Sequence, residues 1–193
     1  MHHHFFAMLS RMKYIFRWSL MRNTRTENIC EHTQEVTVIA HALALLHNKR
    51  FGGTVDVSRC VLLSLYHDVP EILTGDLPTP VKYNDTAIRD EYRRIERLSA
   101  ERLLGQLPAD LEAEYRPLLL PDTASEEELL LVKAADKMSA LIKCIEELKA
   151  GNHEFQQARI STECAIRAMD LPAANCFMEE FLPSYELTLD EQR

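Results

Sequence analysis

Apolar side chains return every three or four positions along most of this chain, the period of a helix with one buried face. From about Asn28 to Lys49 the residues Ile29, His32, Val36, Ile39, Ala40, Leu43 and Leu46 keep that register, and Gly52-Gly53 stop it. A second run goes from about Asp56 or Val57 to His67-Asp68, where Pro70 ends or kinks the helix or opens the next turn. Residues 85–106 predict a charged helix over one apolar stripe. Ser125-Glu126-Glu127-Glu128 has the form of a capping box opening a helix from about 126 to 150. Shorter helices are expected over about 5–16, 153–169 and 172–182. DLPTPVKYND reads as a loop, and Pro108 and Pro117 mark a looser section. No segment alternates with a period of two, so the expected fold class is all-α.

Composition changes this picture little. A chain of 193 residues with 5 glycines and a surplus of Leu, Ala, Glu and Arg suits one helical domain with a real core. The net charge of −8, from 22 basic and 30 acidic side chains, argues against a surface for nucleic-acid polymers. A small anion needs only two or three local cations and remains open. Five cysteines without a CxxC spacing read as reduced core thiols in a cytoplasmic protein. No segment approaches the roughly 18 apolar residues of a membrane span, so no membrane partner is expected.

The candidate chemistry lies in polar residues placed on apolar faces. His67-Asp68 closes the run VLLSLYHD, where the helix dipole disfavours a carboxylate and hiding both groups is costly without a partner. His32 lies on the inward stripe of its helix; it is either a core histidine bonded to a carbonyl or a ligand, and taken alone the first is commoner. Asp136 shares a second apolar arc with Leu129, Val132 and Ala140, so it is expected to be buried, opposite Lys133, Lys137 or a cation. Two histidines and two aspartates together make a shell for a divalent metal with positions left for water or substrate. Arg17 is a fork suited to phosphate or a solvated surface cation. Trp18, the only tryptophan, stacks on a base or anchors the N-terminal helix. Glu71 follows His67 by four and Asp68 by three, on the metal-facing side if the helix runs through Pro70, and a surface acid otherwise. Asp76 bonds a sugar hydroxyl or starts a turn, while Thr79 and Lys82 are weaker candidates for phosphate. His41 and His47 suit the helix surface or packing.

The order His, then His-Asp about 35 residues on, then Asp about 68 further, in a helical chain, resembles the HD-domain metal-dependent phosphohydrolase superfamily. The match is closer to the bacterial HD-domain 5′-deoxynucleotidases, through RTEN-x-x-EHT, LYHDVPEILTGDLPTPVKY and LVKAADKMSALIKCIEELKAGNHEF. The resemblance implies a single HD domain over 1–193 with its catalytic core at about 28–150. It implies that His32, His67, Asp68 and Asp136 hold a divalent metal, cobalt or manganese. Arg17, Trp18, His32, Asp68, Asp136 and the loop Asp76, Leu77, Pro78 and Thr79 would contact substrate, with Glu71 and Arg17 in catalysis. The implied reaction converts deoxyribonucleoside 5′-monophosphates to deoxyribonucleosides and phosphate, in a cytoplasmic homodimer. Val69-Pro70 departs from the smaller or more polar residues expected there, which bears on the aim of Glu71. The alternatives are another HD-fold phosphohydrolase, acting on a triphosphate or a phosphodiester, and a non-catalytic nucleotide-binding module.

Overall fold

The computed structural model of the protein describes residues 2–82 and 85–193, with the side chains of Thr79 and Pro80 outside that description. Its helices in chain order are α1 (Phe5–Leu9), α2 (Ile29–Arg50), α3 (Val57–Tyr66), α4 (Glu71–Thr74), α5 (Thr79–Lys82), α6 (Thr86–Leu104), α7 (Ala109–Leu119), α8 (Glu126–Lys149), α9 (Gln156–Arg167) and α10 (Pro172–Glu180). Short 3-10 turns cover Ser10–Tyr14, His153–Phe155 and Leu182–Glu186. Among the described residues the one β feature outside the helices is an isolated antiparallel bridge between Phe16 and Asn28. The all-α expectation holds.

The long helices start where their caps dictate. The Asn28 side chain accepts from the N–H groups of Cys30 and Glu31, each at 3.0 Å, and so opens α2. Ser125 and Glu128 form a full capping box at the head of α8. Asp85 caps α6 by accepting from the Ala87 N–H.

Three expectations need correction. The second helix ends at Tyr66, so His67-Asp68 stands in the turn beyond α3 rather than on its face. The proline-marked section is a helix, α7: Pro108 stands just before its first turn, and Pro117 falls in its last, where it forgoes one i→i−4 bond shortly before the helix ends at Leu119. The loop DLPTPVKYND contains one helical turn, α5, because Pro78 O accepts from Val81 N at 2.8 Å and Lys82 N at 3.0 Å. Tyr83 and Asn84 of that loop lie outside the described residues.

The chain forms two compact units. The first comprises Met1–Met21, Thr26–Thr33 and Leu65–Ala124. Its core gathers Phe5, Ile29, Val69, Ala100, Leu103, Leu104 and Leu119, with Tyr115 edge-on to Phe5 at 5.2 Å and to Tyr66 at 5.5 Å. The buried Phe, Ile, Val and Leu side chains among them contribute about 1.5–3 kcal/mol of transfer free energy apiece.

The second unit comprises Arg22–Arg25, Gln34–Ser64 and Ser125–Arg193. Val36, Ile39, Leu43, Leu131, Met138, Leu141, Ile142, Ile166 and Phe177 form its core. A polar network is buried in the same unit. Glu147, 1% exposed, pairs with Lys143 and accepts from Thr24 N at 2.9 Å, Thr24 Oγ1 at 2.7 Å and Asn152 Nδ2 at 2.8 Å. Lys143 also donates to the Arg25 carbonyl at 2.6 Å. Burial would raise the Glu147 carboxyl, but Lys143, Asn152 and Thr24 outweigh it and hold the pKa at about 2.

Gly53 packs directly on His47: a Cβ there would come within 2.1 Å of the imidazole. His47 is therefore a packing residue, and His41 is exposed. Of the five free cysteines Cys60 and Cys144 are buried, whereas Cys30 and Cys164 are exposed and so are not core thiols. No described helix is long and apolar enough to cross a membrane.

Candidate metal centre

Three short pieces of the first unit build the site. The Asn28 cap starts α2 so that His32 comes one turn in, fully buried. Upstream, Arg17 N donates to Glu27 O and Ile29 N to Ile15 O, both at 2.9 Å, which lays residues 15–17 along the entry to α2. Trp18 then turns the chain in the left-handed region, at φ 60°. The third piece is the turn after α3. Val69 N donates to Tyr66 O at 3.3 Å and Glu71 N to Asp68 O at 3.0 Å, with Pro70 at φ −57° and ψ −27°. Pro70 thus caps α4 instead of kinking a longer helix, and it turns Glu71 inward, 6% exposed.

His32, His67 and Asp68 converge. His32 Nε2 lies 3.5 Å from Asp68 Oδ2, and His67 Nε2 lies 3.2 Å from Asp68 Oδ1. One ligand atom from each of the three falls within 4.8 Å of the other two. Metal bonds to nitrogen or oxygen of about 2.0–2.2 Å require donors separated by about 3–3.5 Å, so the set fits a divalent cation. Arg17 Nη1 donates to Asp68 Oδ2 at 3.5 Å. Burial opposes ionisation of Asp68, yet His67, His32 and Arg17 together bring its pKa down to about 2. Asp68 is thus ionised at neutral pH, the form in which a carboxylate can bind a cation.

Glu71 is the opposite case. Burial first, then the charges of Asp68 and Asp76, push its pKa up to about 10. Its Oε2 is buried with no hydrogen-bond partner among the described residues. Asp76 is half-buried and also raised, by burial, with Arg17 opposing the shift. Leu77 and Pro78 continue the same loop, half-buried, and the Thr79 side chain lies outside the described residues. Lys82 turns to Glu96 at 2.8 Å and lies over the Tyr92 ring, 4.6 Å from its centroid. Trp18 is half-buried and donates its indole N–H to Glu27 at 2.7 Å. Asp136 belongs to the second unit, on α8, and is half-buried where full burial was expected.

Glu27 is the residue the sequence reading passed over. Its carboxylate bonds Trp18, lies 3.6 Å from Arg17 Nε and 3.6 Å from His32 Nδ1, and is 13% exposed. A signal was present, since Glu27 is the first acidic residue of the chain, after five Arg and Lys.

The family model described as 5′-deoxynucleotidase YfbR-like matches residues 4–185. The chain belongs to that family. A 5′-deoxynucleotidase of Vibrio cholerae is 50% identical over 188 residues, 97% of either chain. The 5′-deoxynucleotidase of Photorhabdus temperata is 48% identical over 188 residues, covering 97% of this chain and 95% of that one. An HD-domain phosphohydrolase of Listeria innocua superposes on this member of the 5′-deoxynucleotidase YfbR-like family with a TM-score of 0.82. It is 25% identical, with 94% of this chain and 87% of that one covered. A cyanophage S-2L HD phosphohydrolase, solved with dA and one catalytic Zn2+, shares the fold at a TM-score of 0.65, 23% identity and 94% and 96% coverage. The fold is that of HD-domain phosphohydrolases.

Proposed function

We propose that the protein is a metal-dependent 5′-deoxynucleotidase that releases phosphate from deoxyribonucleoside 5′-monophosphates, using His32, His67, Asp68 and Asp136 as ligands and Glu71 and Arg17 in catalysis. The observation that carries this reading is the convergence of His32, His67 and Asp68 beside a buried acid, in a chain matched to the family over residues 4–185. Asp136 is assigned through the motif LVKAADKMSAL.

When bound, the divalent cation supplies Lewis-acid stabilisation of phosphoryl charge and acidifies water. The protein's own groups do the rest. Arg17 presents an always-charged fork to the phosphoryl oxygens, and its contact with Asp68 keeps it aimed at the ligand cluster. Glu71, buried and raised by burial and by its acidic neighbours, is assigned to position or deprotonate the attacking water and then to deliver a proton to the leaving 5′-oxygen. To act on the attacking water as a base it needs positive charge added beside it. Trp18 offers a ring face that stacks on any base. Asp76, Leu77, Pro78 and Thr79 form the loop assigned to the sugar and phosphate.

Nitrogen and carboxylate ligands suit cobalt or manganese, which we assign on the resemblance. The five free cysteines support a reducing, cytoplasmic setting. A homodimer is assigned on the same resemblance, to be checked by sedimentation.

The test is phosphate release from dAMP and AMP after chelation and after adding back Co2+, Mn2+ or Zn2+. Chelation is expected to abolish turnover, cobalt or manganese to restore it, and dAMP to be preferred. Equal rates on dAMP and AMP would remove the deoxy assignment. Pyrophosphate or triphosphate as product would point to another HD-fold reaction, and no product with any metal would favour a binding module.

A further inference from the structure

We infer that Glu27 is the positioning residue of the nucleotide-recognition side of this site, one carboxylate that holds the Trp18 indole and steers Arg17. The inference rests on the reading of Arg17 and Trp18 as substrate contacts.

Arg17 and Trp18 come from a stretch without regular structure between the 3-10 turn at Ser10–Tyr14 and α2. Such a stretch holds its side chains in place only through specific bonds. The backbone at Trp18 is in the left-handed region, which costs energy for a side chain of that size and must be offset by its surroundings. Glu27 contributes to that offset. Its carbonyl accepts from Arg17 N at 2.9 Å, and its Oε2 accepts from Trp18 Nε1 at 2.7 Å. The same oxygen lies 3.6 Å from Arg17 Nε, and Oε1 lies 3.6 Å from His32 Nδ1.

This arrangement does two things. A carboxylate acceptor fixes the indole plane more strongly than a neutral acceptor would. Its charge also draws the Nε side of the Arg17 guanidinium inward, while Nη1 reaches Asp68 at 3.5 Å. The guanidinium lies between two acids, 3.6 Å from Glu27 and 3.5 Å from Asp68, and their charges favour that position. The plain alternative is that Glu27 serves only as a negative charge before the first turn of α2. That role would affect folding, and it would not move the tryptophan or separate KM from kcat.

Trp18 is the only tryptophan, so its fluorescence reads this contact directly, whether or not the enzyme turns over. Glu27→Ala removes acceptor and charge; Glu27→Gln keeps an acceptor for the indole and loses the charge. In Glu27→Ala the emission is expected to shift to longer wavelength with stronger acrylamide quenching, and KM for dAMP to rise by about tenfold with kcat much less affected. In Glu27→Gln the emission is expected to stay native while KM rises by a smaller factor, through Arg17. Native emission or unchanged KM in Glu27→Ala overturns the proposal, as does equal loss of kcat, KM and Tm in both variants. Should Glu27→Ala not fold, Glu27→Gln decides: native emission with raised KM supports the role, and unchanged KM overturns it. A wild-type protein inert on dAMP would instead sink the substrate reading, and the emission arm would still test the clamp.

Discussion

Glu71 in the first unit and Glu147 in the second are both acids hidden from solvent, at 6% and 1% exposure, and their acidities move in opposite directions. Glu147 is surrounded by donors: an ammonium, two backbone or hydroxyl groups of Thr24 and an amide. It is held at about 2 and pins residues 22–25 to α8. Glu71 has acids for neighbours, a buried oxygen without a hydrogen-bond partner among the described residues, and a pKa of about 10. Burial is nearly equal, so it does not separate structure from chemistry. The count of satisfied lone pairs does. A completed network stabilises a fold, and an incomplete one keeps a group available for a ligand.

That contrast can be broken in three ways. Replacing Glu71 by Ala should lower phosphate release by roughly 10²–10⁴-fold, the range of a lost acid–base group, while Tm stays level or rises because an unsatisfied acid has gone. A large fall in Tm would mean that Glu71 is structural and that the contrast is false. Replacing Glu147 by Ala leaves Lys143 buried without its counter-charge and should cost about 3 kcal/mol in urea unfolding, with kcat/KM unchanged well below the transition. Loss of activity without loss of stability would reverse the two roles.

The third and smallest effect is on pH dependence. The Glu147 pKa is depressed, so its stabilisation is complete above the unfolded value of about 4.3 and disappears as pH falls through about 2. The urea midpoint should therefore drop across that acid window in the parent protein, and less steeply in Glu147→Gln. Parallel curves would place the acid sensitivity elsewhere.

Much of this was legible in the chain. α2 and α8 announce themselves through Asn28 and through Ser125 with Glu128, because cap chemistry is local and periodicity accumulates over twenty residues. α7 was hidden by its prolines, which are compatible with helix at the positions they occupy, before the first turn and within the last. Burial cost marked His67-Asp68 and His32 as groups that need partners, and the spacing that resembles the HD-domain family joined them into one set. That the doublet lies in a turn did not follow, since the apolar run continues to it without a break. Glu27 was missed for a different reason. Its partners Trp18 and Arg17 come from an irregular segment, and the bridge from Phe16 to Asn28 that brings them together has no periodic signature.

Pro70 joins the His67-Asp68 doublet to Glu71, at φ −57°. A pyrrolidine ring restricts that torsion covalently, so this one of the torsions between Asp68 and Glu71 loses little freedom on folding and has little to regain when the protein warms. One torsion of the spacing between the doublet and the acid is thus encoded in bond connectivity, which neither ionic strength nor loss of distant packing can relax.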